Sequence, residues 1–165
     1  MSDRIRWHGW PVFLHSTRTA AASVVSLLTA RLFRLPETYW AGLTTLVVTQ
    51  SSLGMALADS RQRFFGTALG AILGAIVANY FGPDVFVFGV SVFILGLLCS
   101  IARADRGAYR FGGITLAIML LIPWRTGPPW RIAFHRFAEV SIGIGVALIM
   151  ALSWPEEENK PAGNS

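Results

Sequence analysis

The sequence has few of the residues that build enzyme sites and disulfides. It contains one cysteine, Cys99, so no disulfide can form within the chain, and only three histidines, which are scattered singly. No HExxH or CxxC spacing, no phosphate-binding loop and no set of nucleophile, base and orienting residue occurs. We therefore expect no metal site, no cofactor and no enzymatic activity, and a structural role for Cys99.

Charged residues are also scarce. They make up 14% of the 165 residues, whereas 53% are hydrophobic, which is too apolar for an ordinary soluble domain of this length. The formal net charge is +5, but no soluble basic face or nucleic-acid-binding motif accompanies it, so we expect no nucleic-acid partner. The composition predicts that the chain lies in a lipid bilayer.

Six apolar runs predict six transmembrane helices. A helix needs about 20 residues to cross the hydrocarbon layer, and three charge-free runs approach that length: 38–58, 64–83 and 85–102. Three further runs cross only by admitting charge: 12–33 contains Arg18, 107–124 contains Arg110, and 132–154 contains Arg136 and Glu139. The predicted fold is an all-α integral membrane protein, a six-transmembrane-helix bundle.

The distribution of lysine, arginine and tryptophan sets the expected orientation. A cytoplasmic N-terminus places more lysine and arginine residues inside than outside and puts the tryptophans at the two membrane boundaries. Both termini are then cytoplasmic. We expect a cytoplasmic segment at 1–11 that is not a signal peptide, a membrane domain at 12–155, and a disordered cytoplasmic tail at 156–165.

Three glycines recur in the third predicted span. Gly66, Gly70 and Gly74 fall at i, i+4 and i+8, so they form one stripe without side chains that another helix can approach closely. Plain helix packing explains this stripe. It also fits a thin-walled groove beside Arg63 and Thr67 into which an anion could settle, and the two interpretations are compatible.

The arginines before this stripe are expected at the cytoplasmic start of the third helix. There Arg61 and Arg63 would add to the positive helix dipole and to free backbone N–H groups, which favours an anion site. Anchoring by positive residues on the inner side is the alternative. Asp59 could pair with Arg61 or cap the helix.

The second span carries a polar stripe. Thr45, Thr49 and Ser52 share one helical face, with Gln50 roughly 100° from Thr49. Hydrogen bonding between helices and the lining of a hydrated path are both consistent with this pattern.

The last span begins with two opposite charges. Arg136 and Glu139 are at i and i+3, close enough for an ion pair. Such a pair can be structural, or Arg136 can contact substrate while Glu139 or His135 takes part in proton coupling. Arg18 can extend to the membrane surface or face a pore.

The order of these motifs resembles one family of membrane proteins. Arg18 with a small-residue run, YWAGLTTLVVTQ, SRQRFFGTALGAILGA, YRFGGITLAIMLL and HRFAEVSIGIGVAL with a terminal Trp-Pro are similar to the membrane domain of the fusaric acid resistance (FUSC) and aromatic acid exporter family. The plant aluminium-activated malate transporters look like more distant relatives. The matching motif positions are Arg18, Trp40, Thr44, Arg63, Gly66, Thr67, Gly70, Arg136, Glu139 and Gly143.

The resemblance implies an efflux permease for organic anions, typically aromatic carboxylates, in the inner (plasma) membrane of bacteria. Arg18, Trp40, Thr44, Arg63, Thr67 and Arg136 then become substrate-pathway candidates, and Gly143 a packing position. Larger members have two membrane units, so a chain with one unit would need to assemble at least as a homodimer. A non-transporting scaffold or accessory subunit and a passive anion channel are the alternatives, and flux through liposomes separates them.

Overall fold

The computed structural model describes residues 9–49, 53–122 and 127–153. These residues form six α-helices and no strand, as the sequence predicts: α1 Gly9–Leu32, α2 Tyr39–Thr49, α3 Leu53–Tyr80, α4 Val85–Ile101, α5 Arg106–Leu121 and α6 Pro129–Ser153. By length and composition, α3 and α6 can cross a membrane, and α4 is a shorter apolar helix. The predicted tail, most of the N-terminal segment, Gln50 and Ser52 lie outside the described residues.

The boundary between the second and third helices differs from the prediction. The run 38–58 contains no charge, yet α2 ends at Thr49 and α3 already begins at Leu53. At 1.5 Å per residue, α2 is only about 16 Å long. Counting charges misplaced the boundary because α3 continues through its charged residues, and arginine, glutamine and alanine all favour helix.

Arg63 therefore does not lie at a helix start. It is ten residues beyond Leu53, where backbone N–H groups have partners within the helix. The expectation that free N–H groups and the helix dipole assist Arg61 and Arg63 is wrong for this reason. Asp59 also lies inside α3, so it does not cap that helix.

Helix α3 lies at the centre of the bundle and packs against α5 and α6. Its contact with α5 is formed by glycines. A Cβ atom placed on Gly66 would overlap the carbonyl oxygen of Ala108, and one on Gly70 would overlap the carbonyl oxygen of Gly112. A Cβ on Gly74 would lie 2.7 Å from the Cβ of Met119. The two backbones thus touch directly at Gly66 and Gly70, whereas at Gly74 the backbone of α3 meets a side chain of α5.

Helix α2 packs mainly against α6 and α1 and does not contact α5. At Gly143 of α6, an added Cβ would lie 2.5 Å from the carbonyl oxygen of Ala41 and 2.6 Å from the Cβ of Thr44. Since α2 and α5 both pack beside the α3–α6 pair without meeting, they leave a gap over these two helices.

The outside of the bundle is apolar. Along α4 the exposed side chains include Phe86, Val90, Phe93, Leu97 and Ile101, whereas Leu95 and the free thiol of Cys99 are buried against α5. A contiguous exposed apolar surface of this kind is typical of a face that contacts lipid or protein.

Candidate functional site

The gap between α2 and α5 is a groove with a volume of about 760 Å³. Residues of α3 and α6 form its floor. Four of the predicted pathway candidates meet in it: Trp40, Arg63, Thr67 and Arg136. The rest of the lining combines apolar side chains with a few polar ones, including Leu43, Val47, Asp59, Gln62, Arg110, Phe111, Ile114 and Thr115. Among the described residues, three arginines and a single carboxylate line the groove, so its charge favours anions.

Arg63 reaches from α3 to both walls of the groove. Its side chain is only 8% exposed. Its Nε–H donates to Thr44 Oγ1 at 3.1 Å, and its guanidinium carbon lies 4.7 Å from the centre of the Phe111 ring. Among the described residues no carboxylate lies within ion-pair distance of Arg63. The charged group that acts on it is another cation, Arg136.

Arg136 lies on α6 and is 3% exposed. Its Nη1 is 3.6 Å from Glu139 Oε2, which is the pair expected from the i, i+3 spacing, and 3.5 Å from Glu37 Oε2. Its guanidinium carbon lies 3.6 Å from the centre of the Trp40 ring. Burial of this cation is therefore compensated by two carboxylates and an aromatic face.

Glu37 ties the α1–α2 turn to α6. Its backbone N–H donates to Glu139 Oε1 at 2.9 Å, and its own Oε2 accepts a hydrogen bond from Trp40 Nε1 at 3.1 Å. No sequence motif singled out Glu37, which precedes α2 in the turn segment RLPET. Phe111 was also missed, although it lies in the quoted motif YRFGG.

Two other threonine candidates on α2 do not line the groove. Thr45 Oγ1 donates to the carbonyl oxygens of Ala41 and Gly143, and Thr49 Oγ1 donates to that of Thr45. The bond from Thr45 to Gly143 joins α2 to α6, which is the hydrogen bonding between helices that was one of the two interpretations of this stripe. Thr44 lies behind the groove, where it holds Arg63 and donates to the carbonyl oxygen of Trp40 at 2.8 Å.

Arg18 lies away from the groove. Its side chain is 8% exposed, and its Nη2 donates to the carbonyl oxygen of Met150 at 3.2 Å, so it joins α1 to α6. Arg61 lies on α3, two residues before Arg63, but outside the groove. Its Nη2 is 3.4 Å from Asp105 Oδ2, and both side chains are exposed.

A second cavity, of about 280 Å³, adjoins the groove near the start of α6. Its charged or titratable lining consists of Glu37, Arg131, His135, Arg136 and Glu139. The two proton-coupling candidates, His135 and Glu139, thus line the same cavity. In the part of the chain that the structure describes, no group of three or more His, Cys, Asp or Glu side chains could hold a metal ion.

Comparisons with known proteins agree on one family. A 23% identical protein of Mycobacterium tuberculosis, named as a candidate arylamide transporter, aligns over 92% of this chain and 42% of its own length. Inner membrane protein YeeA of Escherichia coli is 31% identical over 87% of this chain and 41% of its own. Aluminum-activated malate transporter 14 of Arabidopsis thaliana is 29% identical over 68% of this chain and 23% of its own.

The chain thus spans about two fifths of the length of these two bacterial relatives. No solved structure matches it significantly. The sequence profile described as fusaric acid resistance protein-like matches residues 21–150, which is most of the chain and includes every described residue of the groove. The chain therefore belongs to the fusaric acid resistance protein-like family.

Proposed function

We propose that the chain is the membrane unit of a transporter for organic anions, with aromatic carboxylates as the preferred class and export as the direction. The observation that carries the proposal is Arg63, a buried cation in an open groove without a carboxylate within ion-pair distance among the described residues. Burying an unpaired charge is costly, so a carboxylate that enters the groove would be stabilised by this guanidinium.

The shape and lining of the groove favour an anion with an apolar body. Its volume falls within the range of about 300–1,000 Å³ typical of small-molecule sites. Leu43, Val47, Phe111 and Ile114 offer apolar contacts near Arg63. A benzoate-like molecule could therefore direct its carboxylate at the guanidinium while its ring packs against these walls.

The wider arrangement remains part of the proposal. Membership of the family and the transporter names of two relatives support transport across a membrane. We propose six membrane-embedded helices with both termini in the cytoplasm, located in the bacterial inner membrane. Because the groove is open between α2 and α5, we also propose that the chain works as a homo-oligomer, at least a dimer.

The test is uptake of radiolabelled carboxylates, aromatic and aliphatic, into liposomes that contain the purified protein. Wild-type protein should move aromatic acids, and Arg63→Gln should reduce the flux about 10- to 100-fold, the scale of a charge-assisted hydrogen bond. Arg61→Gln is the matched control because Arg61 is exposed and pairs with Asp105 outside the groove. An Arg63→Gln protein that transports like wild type would refute the assigned role of Arg63.

A proton gradient distinguishes the mechanisms. Accumulation that depends on the gradient indicates a coupled exporter, with Glu139 and His135 as the side chains to replace next. Passive flux without accumulation indicates an anion channel. No flux from folded protein would refute transport by this chain alone and favour the accessory-subunit alternative.

A further inference from the structure

The second cavity and the groove share one lining residue, Arg136. Trp40 lines only the groove, and Glu37 and Glu139 line only the second cavity. The guanidinium of Arg136 therefore lies in the wall between two spaces, with an aromatic face on one side and two carboxylates on the other.

Arg136 is held loosely for a buried cation. Neither Nη1 nor Nη2 makes a hydrogen bond to any described residue. The two carboxylate oxygens lie 3.5 and 3.6 Å from Nη1, beyond the roughly 2.7–2.9 Å of a charge-assisted hydrogen bond. The N–H groups of this side chain, which is more than nine-tenths buried, can thus still donate hydrogen bonds to a better-placed anion.

The two carboxylates differ in how easily they can move. Glu139 is 1% exposed, lies on α6 and accepts the backbone N–H of Glu37. Glu37 is 34% exposed and lies in the turn between α1 and α2. Of the two, Glu37 is the carboxylate that can leave the guanidinium: it gives up the hydrogen bond from Trp40 Nε1, while its backbone N–H can stay bonded to Glu139.

We infer that the second cavity binds the carboxylate group of a small organic anion, and that the incoming carboxylate takes the place of Glu37 beside Arg136. The inference rests on the proposed transport function and adds a second anion site in series with Arg63. Arg131 and His135 line the same cavity and supply further donors for the carboxylate.

A competing carboxylate within the protein has a clear physical use. When the cavity is empty, Glu37 and Glu139 compensate the buried cation. When substrate has bound, the return of Glu37 displaces it and speeds release. Transport requires sites that bind strongly enough to fill and weakly enough to empty, and Glu37 sets this balance at Arg136.

The substitution Glu37→Gln tests the inference because it removes the charge and little else. The amide oxygen can still accept from Trp40 Nε1, and the backbone N–H can still donate to Glu139. In liposomes supplied with benzoate, we expect the half-saturating concentration to fall about fivefold, the scale of a partly exposed ion pair, with a lower maximal rate. A purely structural role for Glu37 predicts weaker binding instead.

Arg131→Gln provides a second variant, which should raise the half-saturating benzoate concentration. Arg31→Gln, an exposed arginine that lines neither cavity, is the matched control and should leave it unchanged. If the wild-type protein transports benzoate but Glu37→Gln binds it with unchanged or weaker affinity, the inference is overturned and the proposed function stands. If Glu37→Gln does not fold, unchanged affinity in Arg131→Gln overturns it. A wild-type protein that moves no anion overturns the proposed function as well.

Discussion

The contact between α3 and α5 can be tested with one methyl group. In Gly70→Ala, the new Cβ would overlap the carbonyl oxygen of Gly112 and lie 2.9 Å from its Cα. These are backbone atoms, so no side-chain rotation relieves the overlap and the helices must separate. Such overpacking costs about 1–3 kcal/mol, and the better helix propensity of alanine returns up to about 1 kcal/mol. Gly70→Leu should be worse.

Thermal unfolding of the purified protein in detergent measures the effect. At about 2–4 °C per kcal/mol for a chain of this size, a net loss of about 1 kcal/mol lowers the Tm by about 2–4 °C. Gly113→Ala on α5 is the matched control, because a Cβ there meets nothing within 4 Å. Its Tm should rise by about 2 °C through helix propensity alone.

The comparison between these two variants decides the question. Gly74→Ala should fall between them, because its Cβ would contact the side chain of Met119, which can partly adjust. Equal Tm values for Gly70→Ala and Gly113→Ala would refute direct contact between the backbones of α3 and α5.

Two further substitutions test local contacts. Thr44→Val removes the acceptor of Arg63 Nε and leaves a buried N–H unpaired, so the free energy of unfolding in detergent should fall by about 1–3 kcal/mol. Thr44→Ser keeps the hydroxyl and should unfold like the wild type. Equal unfolding free energies for the two variants would contradict this hydrogen bond. Asp84→Ala removes the side chain that caps α4 by accepting the backbone N–H of Val87 at 3.0 Å, which should cost about 1 kcal/mol. Asp105 makes no such cap bond at α5, so Asp105→Ala is the comparison variant. If it lowers the free energy of unfolding as much as Asp84→Ala in the same assay, capping does not explain the effect of Asp84→Ala.

The sequence predicted the helices best where a charge-free run ends at a clear boundary. The predicted span 85–102 corresponds to Val85–Ile101 because Pro83 and Asp84 stop the preceding helix and cap the next. The span 38–58 was misplaced because α3, which begins at Leu53, accepts Asp59, Arg61 and Arg63 in its interior, so these charges do not mark its start.

The site was predictable in part for a similar reason. Trp40, Arg63, Thr67 and Arg136 belong to recognisable motifs, and the structure gathers them in one groove. Glu37 was not predictable, because it meets Glu139 only when the α1–α2 turn folds back on a helix 102 residues later in the chain. Phe111 likewise reaches Arg63 only through the packing of α5 on α3.

Backbone contact between α3 and α5 also has a consequence for motion. At Gly66 and Gly70 no side chain lies between the two backbones to compress or rearrange, so we expect a small displacement of one helix to carry the other with it. Helix α2 makes much less contact with α3 than α5 makes with α3. We therefore expect the two walls of the groove to differ in mechanical freedom: α5 should move together with α3, and widening of the groove should displace α2.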